Sequence, residues 1–290
     1  MGESPSHRFG QIIGDLLETA VEPILQEFAQ EYRLYLDKKG LRAARKGSKV
    51  SWRDLNGNTH DLDFVLERNG STTRQGTPVA FIETAWRRYT KHSRNKAQEI
   101  QGAISPLRET YKDYAPFVGT ILAGVFTDNA LSQLRSLNFT VLYFPYDNIV
   151  SAFRLVNIDA AFDENTPDSE FVAKVTAWEA LHEEKKLTVA EALIDTHKKE
   201  VAEFIEALRK AVTRQVAVVR ILPLYGTLFQ CKSTEEAIQF IEQYGETPQA
   251  ETFERYEIEI QYANGDFIKA QFQDKTKAFA FLRMNQFPIN

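Results

Sequence analysis

Residues 59–104 read THDLDFVLERNGSTTRQGTPVAFIETAWRRYTKHSRNKAQEIQGAI, and the fold turns on how this stretch pairs. Leu62, Phe64 and Leu66 alternate with Asp61, Asp63 and Glu67, the period-two pattern of a strand over Asp61–Arg68. A loop rich in Gly, Ser, Thr and Asn follows to Thr77, and Pro78 opens the run VAFIETAW. That run is apolar almost throughout, as a strand covered on both faces should be. An antiparallel pairing centred near Thr73 sets Asp63 opposite Glu83, with Cβ atoms about 5 Å apart on one face. Carboxylates that close repel one another, and a divalent cation between them relieves the repulsion. Oxygen ligands suit Mg²⁺, which binds through one or two carboxylates and keeps several waters. The same two acids also fit a merely solvated face. Two details favour a site: Glu83 sits inside an apolar strand, where an unpaired charge is costly, and a dense basic segment, Arg87–Lys96, follows at once.

In that segment Trp86, Tyr89 and His92 are interleaved with Arg87, Arg88, Lys91 and Arg94, a mixture that suits backbone and base contacts or a partner interface. Ser93 reads as a helix cap and Arg94–Tyr111 as the helix, with Ala97, Ile100, Ile104 and Leu107 on its inner stripe. Lys96 falls in its first turns, either over the mouth of the site or in solvent.

The pattern of an acid in LDFVL, a loop, and a hydrophobic strand carrying a second acid resembles the PD-(D/E)XK nuclease superfamily, over roughly residues 10–155. The resemblance implies a restriction-endonuclease-like core in which Asp63 and Glu83 bind metal. The lysine of that family stands two residues after the second acid, where this chain has Ala85. The resemblance then passes the lysine's role to Lys96 or Lys91 on the following helix. It also implies that an acid of the first helix joins the metal site, and Glu18 in GDLLETAVEPIL has the spacing; a glutamate merely flanking the core is the alternative.

Upstream, residues 11–39 read as one long amphipathic helix, kinked or broken at Pro23 and stopped at Gly40. Arg42, Arg45, Lys46, Lys49 and Arg53 form a basic run that is either solvated surface or a set of phosphate contacts. Asn56-Gly57 marks a turn between a short strand, Val50–Leu55, and Thr59–Leu66. Downstream, Phe117–Phe126 and Thr140–Phe144 read as buried strands joined by a helix, Thr127–Ser136, capped by Asp128; such a crossover implies a parallel pair. Asp147 reads as a turn residue.

An acidic linker, Asp159–Ser169, is predicted next, then two helices over 170–214, the second running Val189–Arg214. The last 76 residues hold a weak repeat. One hairpin turns at Tyr225-Gly226 and precedes the helix Thr234–Tyr244; the other turns at Asn264-Gly265 and precedes Lys275–Asn285. The two helices align through Ala237, Phe240 and Ile241 with Ala278, Phe281 and Leu282.

Composition bounds the rest. The 290 residues carry a net charge of −5, so nucleic-acid contact must come from local patches. The single cysteine, Cys231, reads as a buried structural thiol and fits a reducing, cytoplasmic setting. No run is long enough for a membrane helix, and the N-terminus has no signal core. Phosphate-binding glycine loops, nucleophile elbows and zinc-protease signatures are missing from the sequence.

The expectation is therefore a mixed α/β (α+β) protein with a nuclease-like domain over 1–158, a linker and helical segment over 159–214, and a ββαββα accessory domain over 215–290. The expected function is that of a Mg²⁺-dependent DNA endonuclease of restriction or prokaryotic defence type, with the cations of Arg87, Arg88, Lys91, Arg94, Arg45, Lys46 and Lys49 on DNA. Cutting both strands needs two sites, hence a homodimer. The alternative is a catalytically inactive nuclease fold acting as a DNA-binding or complex-forming subunit.

Overall fold

The structure is a computed structural model that describes residues 4–223, 227–244 and 254–286. Two compact units are present, one of Met1–Thr110 with Phe117–Ala207, the other of Tyr111–Pro116 with Leu208–Asn290.

In the first unit Ser4 accepts a hydrogen bond from the His7 N–H, and Pro5 occupies the first helical position. Helix α1 (Pro5–Glu31) thus begins earlier than predicted and remains a single helix through Pro23. Phe9, Ile13, Leu17, Val21, Leu25 and Phe28 form its buried face. Arg33, at φ 53°, redirects the chain, and Leu34–Lys38 is strand β1 rather than the end of a long helix. The apolar spacing of this segment is compatible with either state. Its antiparallel pairing with β4 (Phe64–Arg68), Leu36 opposite Leu66, decides for strand.

Strands β2 (Val50–Arg53) and β3 (Thr59–Leu62) pair around the Asn56-Gly57 turn, as expected. The strand predicted over Asp61–Arg68 is broken at Asp63: β3 belongs to this two-stranded ladder and β4 to the main sheet. Strand β5 (Thr77–Arg87) pairs antiparallel with β4 in the expected register, Phe64 opposite Ile82. Helix α2 (Thr90–Thr110) starts before Arg94. Ser93 is therefore not its cap; it is buried in the first turns and its hydroxyl donates to the Thr90 carbonyl.

Strand β6 (Phe117–Gly124) is buried at every position, so it needs cover on both faces. Gly124 adopts φ +99°, and a Cβ there would stand 2.1 Å from the Arg87 carbonyl, which accepts from Val125 N–H. Only glycine lets the ends of β5 and β6 approach so closely. Helix α3 (Asp128–Ser136) is capped by Thr127, whose hydroxyl accepts from Ala130 N–H, and not by Asp128. Strand β7 (Thr140–Pro145) leads into α4 (Tyr146–Arg154), which takes up Asp147 in its first turn. Three helices follow where two were expected: α5 (Asp168–Glu179), α6 (Glu183–Asp195) and α7 (Lys198–Val212).

The main sheet has the order β1-β4-β5-β6-β7, antiparallel over its first three strands and parallel from β5 to β7, which makes the unit mixed α/β. Helix α1 packs on β5, β1, α5 and α6, while α2 packs on α3 and β5. The stretch 159–207, expected as linker and spacer, belongs to this unit.

In the second unit, β8 (Val216–Pro223), β9 (Phe229–Cys231), β10 (Tyr256–Tyr262) and β11 (Phe267–Phe272) form one antiparallel sheet of order β11-β10-β8-β9. Helices α8 (Thr234–Gln243) and α9 (Lys275–Met284) each follow a hairpin, as the repeat predicts. Ala237, Ile241, Ala278, Phe281 and Leu282 share one core with Cys231, which is buried. The turn placed at Tyr225-Gly226 lies outside the described residues. Arg214 donates to the Ala115 carbonyl at 2.9 Å and to that of Tyr114, joining residues 111–116 to this unit. Among the described residues no helix is long and apolar enough to cross a membrane.

Candidate functional site

The β4–β5 ladder ends at Phe64 and Ile82, so Asp63 and Glu83 stand one step beyond the last rung and opposite each other. Both line a cleft of about 990 Å³ together with Glu18 on α1 and Lys96 on α2. The packing of α1 and α2 against β5 brings these side chains, distant in sequence, to one place. Asp63 accepts two hydrogen bonds from Thr84, from N–H and from the hydroxyl, each at 2.7 Å. Glu83 Oε1 lies 3.9 Å from Lys96 Nζ, and Lys96 in turn stands 3.4 Å from Glu99. Glu83 Oε2 is buried and, among the described residues, has no hydrogen-bond partner. On β6, Thr120 is in register with Glu83, and its buried hydroxyl likewise has no partner among the described residues.

Electrostatics follow from this burial. Glu83 is pushed up to about 8, chiefly by desolvation and then by the charge of Asp63, with Lys96 opposing. Glu18 is pushed up to about 7, again by burial first and by Asp63 second. Glu18 and Glu83 thus resist ionising beside Asp63, the condition that a bound cation relieves. Asp63 and Glu83 are the residues that could hold Mg²⁺, which binds a protein through one or two carboxylates and keeps several waters. The unpartnered Glu83 oxygen fits such an ion. Among the described residues, no group of three or more His, Cys, Asp or Glu side chains stands ready to hold a metal. Glu18, expected as a further ligand, borders the cleft but does not complete such a group.

The predicted cations separate into two kinds. Arg45 is not free to meet a phosphate: its side chain is 5 % exposed and paired with Asp37 at 3.2 Å. Arg88 donates to the Phe162 carbonyl at 2.8 Å and stacks 4.0 Å from the Tyr146 ring, so it serves packing. Arg87 is half-buried, donates to the Trp86 carbonyl and lies 3.6 Å from Glu99. Lys91 and Arg94 are exposed in the first two turns of α2, with Lys91 paired to Glu164 at 2.9 Å. Lys46 and Lys49 are exposed, Lys49 against Asp61. Ala85 is buried and lines the cleft, so no lysine stands at that position.

Sequence reasoning missed three features of the cleft. Thr84 holds Asp63. Gly10 and Gly14 of α1 line the cleft, and their four-residue spacing with Glu18 was the available signal. Asp163 and Glu164 border the same cleft, although their acidic, proline-containing stretch reads as a linker.

No family model matches this chain, and no curated protein matches it. A solved crystal structure, described as that of a protein of unknown function, aligns at 11 % identity over 67 % of this chain and 98 % of its own, with a TM-score of 0.28. Similarity at that level carries no argument about fold or function.

Proposed function

We propose that the chain is a Mg²⁺-dependent DNA endonuclease with a restriction-endonuclease-like core, of the kind used in restriction or prokaryotic defence. The observation that carries this reading is the buried, unpartnered Glu83 oxygen opposite Asp63, with Lys96 3.9 Å away on the neighbouring helix. The mixed sheet, with its antiparallel β4–β5 pair running into parallel β6 and β7, supports it. Asp63 and Glu83 would hold the metal. When bound, the ion polarises a phosphate oxygen and lowers the pKa of a water. Lys96, its side chain 17 % exposed, would stabilise negative charge developing beside Glu83. Lys91, Arg94, Lys46 and Lys49 are the cations exposed to a phosphate backbone, and two copies of the chain would serve the two strands.

A second reading keeps the fold and the DNA but not the chemistry, and Ala85 favours it. Plasmid and linear DNA incubated with Mg²⁺ or with chelator, for the wild type and Glu83→Ala, separate the two. Mg²⁺-dependent fragments that disappear in Glu83→Ala are expected. Intact DNA in every lane, with binding retained in chelator, replaces the enzyme reading with the inactive one.

A further inference from the structure

We propose that Thr84 is the positioning residue of this site, fixing the Asp63 carboxylate through one oxygen and leaving the other for the cation. The inference rests on the metal-binding reading of Asp63 and Glu83 given above. Asp63 falls in the gap between β3 and β4, outside both ladders. Beyond the rung at Phe64 and Ile82, the Thr84 N–H meets no backbone carbonyl on β4. The Asp63 carboxylate takes that carbonyl's place, accepting the N–H on Oδ2 at 2.7 Å. The Thr84 hydroxyl donates to the same oxygen at 2.7 Å.

Both donors converge on Oδ2. Among the described residues no hydrogen bond engages Oδ1. Asp63 is half-buried at the cleft, while Thr84 is 8 % exposed. Its β-branched side chain is stiff at χ1, which aims the hydroxyl without help from a ligand. The interruption of the strand therefore has a use: it frees the Asp63 side chain from the ladder, and Thr84 then locks it in one orientation next to Glu83. Such outer-shell hydrogen bonds hold metal ligands in place, and their loss weakens metal affinity by roughly ten- to a hundredfold.

The structural alternative is that the hydroxyl only closes the strand break. Mn²⁺ binding by calorimetry, with melting curves in chelator, distinguishes the two for Thr84→Val, Thr84→Ser and Asp63→Asn. Thr84→Val keeps the shape and the β-branch and removes only the hydroxyl. Expected are a Kd raised about ten- to a hundredfold in Thr84→Val, near-wild-type affinity in Thr84→Ser, and no binding in Asp63→Asn. Unchanged affinity in Thr84→Val, with binding lost in Asp63→Asn, overturns the positioning role alone. Unchanged affinity in Asp63→Asn overturns the metal reading and this inference with it. Where Thr84→Val does not fold, Thr84→Cys replaces it: weakened Mn²⁺ binding there but not in Thr84→Ser supports the role, and equal binding in both overturns it.

Discussion

Glu67 is buried and Glu83 largely so, its side chain 12 % exposed, on adjacent strands of one sheet, yet the protein treats them oppositely. Glu67 is fully buried and fully paired. Arg42 donates to both of its oxygens, at 2.5 and 2.9 Å, and the Gly76 N–H donates at 2.6 Å. Arg42 also reaches Asp37 at 2.7 Å and the carbonyls of Ser71 and Arg74. Glu83 has Lys96 at 3.9 Å and, among the described residues, no partner for its Oε2. A complete network anchors the edge strand β1 and the β4–β5 loop to the sheet. An incomplete one leaves capacity for a ligand. Burial of a charge is thus not itself the sign of a site; failure to satisfy it is.

The largest expected effect lies on the paired side. Arg42→Met strands Glu67 without its counter-charge and leaves Asp37 with Arg45 alone, and removing one partner of a buried pair costs about 3–5 kcal/mol. Urea denaturation measures this, and a loss well under about 1 kcal/mol would show that the Arg42 network does not anchor the sheet.

Next comes Glu83→Gln, with the opposite sign. The folded-state pKa of Glu83 is raised to about 8 from 4.5, so the folded protein holds this proton more tightly than the unfolded chain. Stability is greatest below about pH 4.5 and falls as pH rises through 8. Glutamine removes that dependence. The variant should match wild type near pH 5 and exceed it by about 2–4 kcal/mol at pH 9. A pH-independent difference between the two melting curves would break the contrast with Glu67.

The smallest effect belongs to the exposed pair. Lys91→Ala removes its contact with Glu164, an interaction screened by water, and should leave the melting temperature unmoved. If Lys91 meets phosphate, the slope of log K against log salt for DNA binding should fall by about one. An unchanged slope removes Lys91 from the interface.

Much of this arrangement was legible in the chain. The alternation over Leu62–Leu66, with a pairing centre at Thr73, placed Asp63 opposite Glu83 because a hairpin's register follows from its loop and its pattern. The C-terminal repeat was legible through its matched helices. Thr84 was not legible, because its role depends on the strand break at Asp63, and nothing in DLDFVLER marks that break. Arg42 and Arg45 looked like surface cations because a basic run does not reveal which acids will fold against it. Residues 34–38 looked helical because Leu34, Leu36 and their neighbours suit either period over so short a span.

The sequence by itself determined where chains of apolar residues must be buried, which strands are central and which acid interrupts them. These are consequences of local periodicity, and every residue needed to read them lies within one element. The tertiary structure alone decided that 34–38 extends the sheet, that the stretch near Asp163 and Glu164 borders the cleft, and which charges are satisfied. Those outcomes depend on partners supplied from far along the chain: Arg42 meets Glu67, and Lys96 on α2 meets Glu83 on β5. Pairing across such distances is set by packing, and it is there that a buried carboxylate becomes either an anchor or a site.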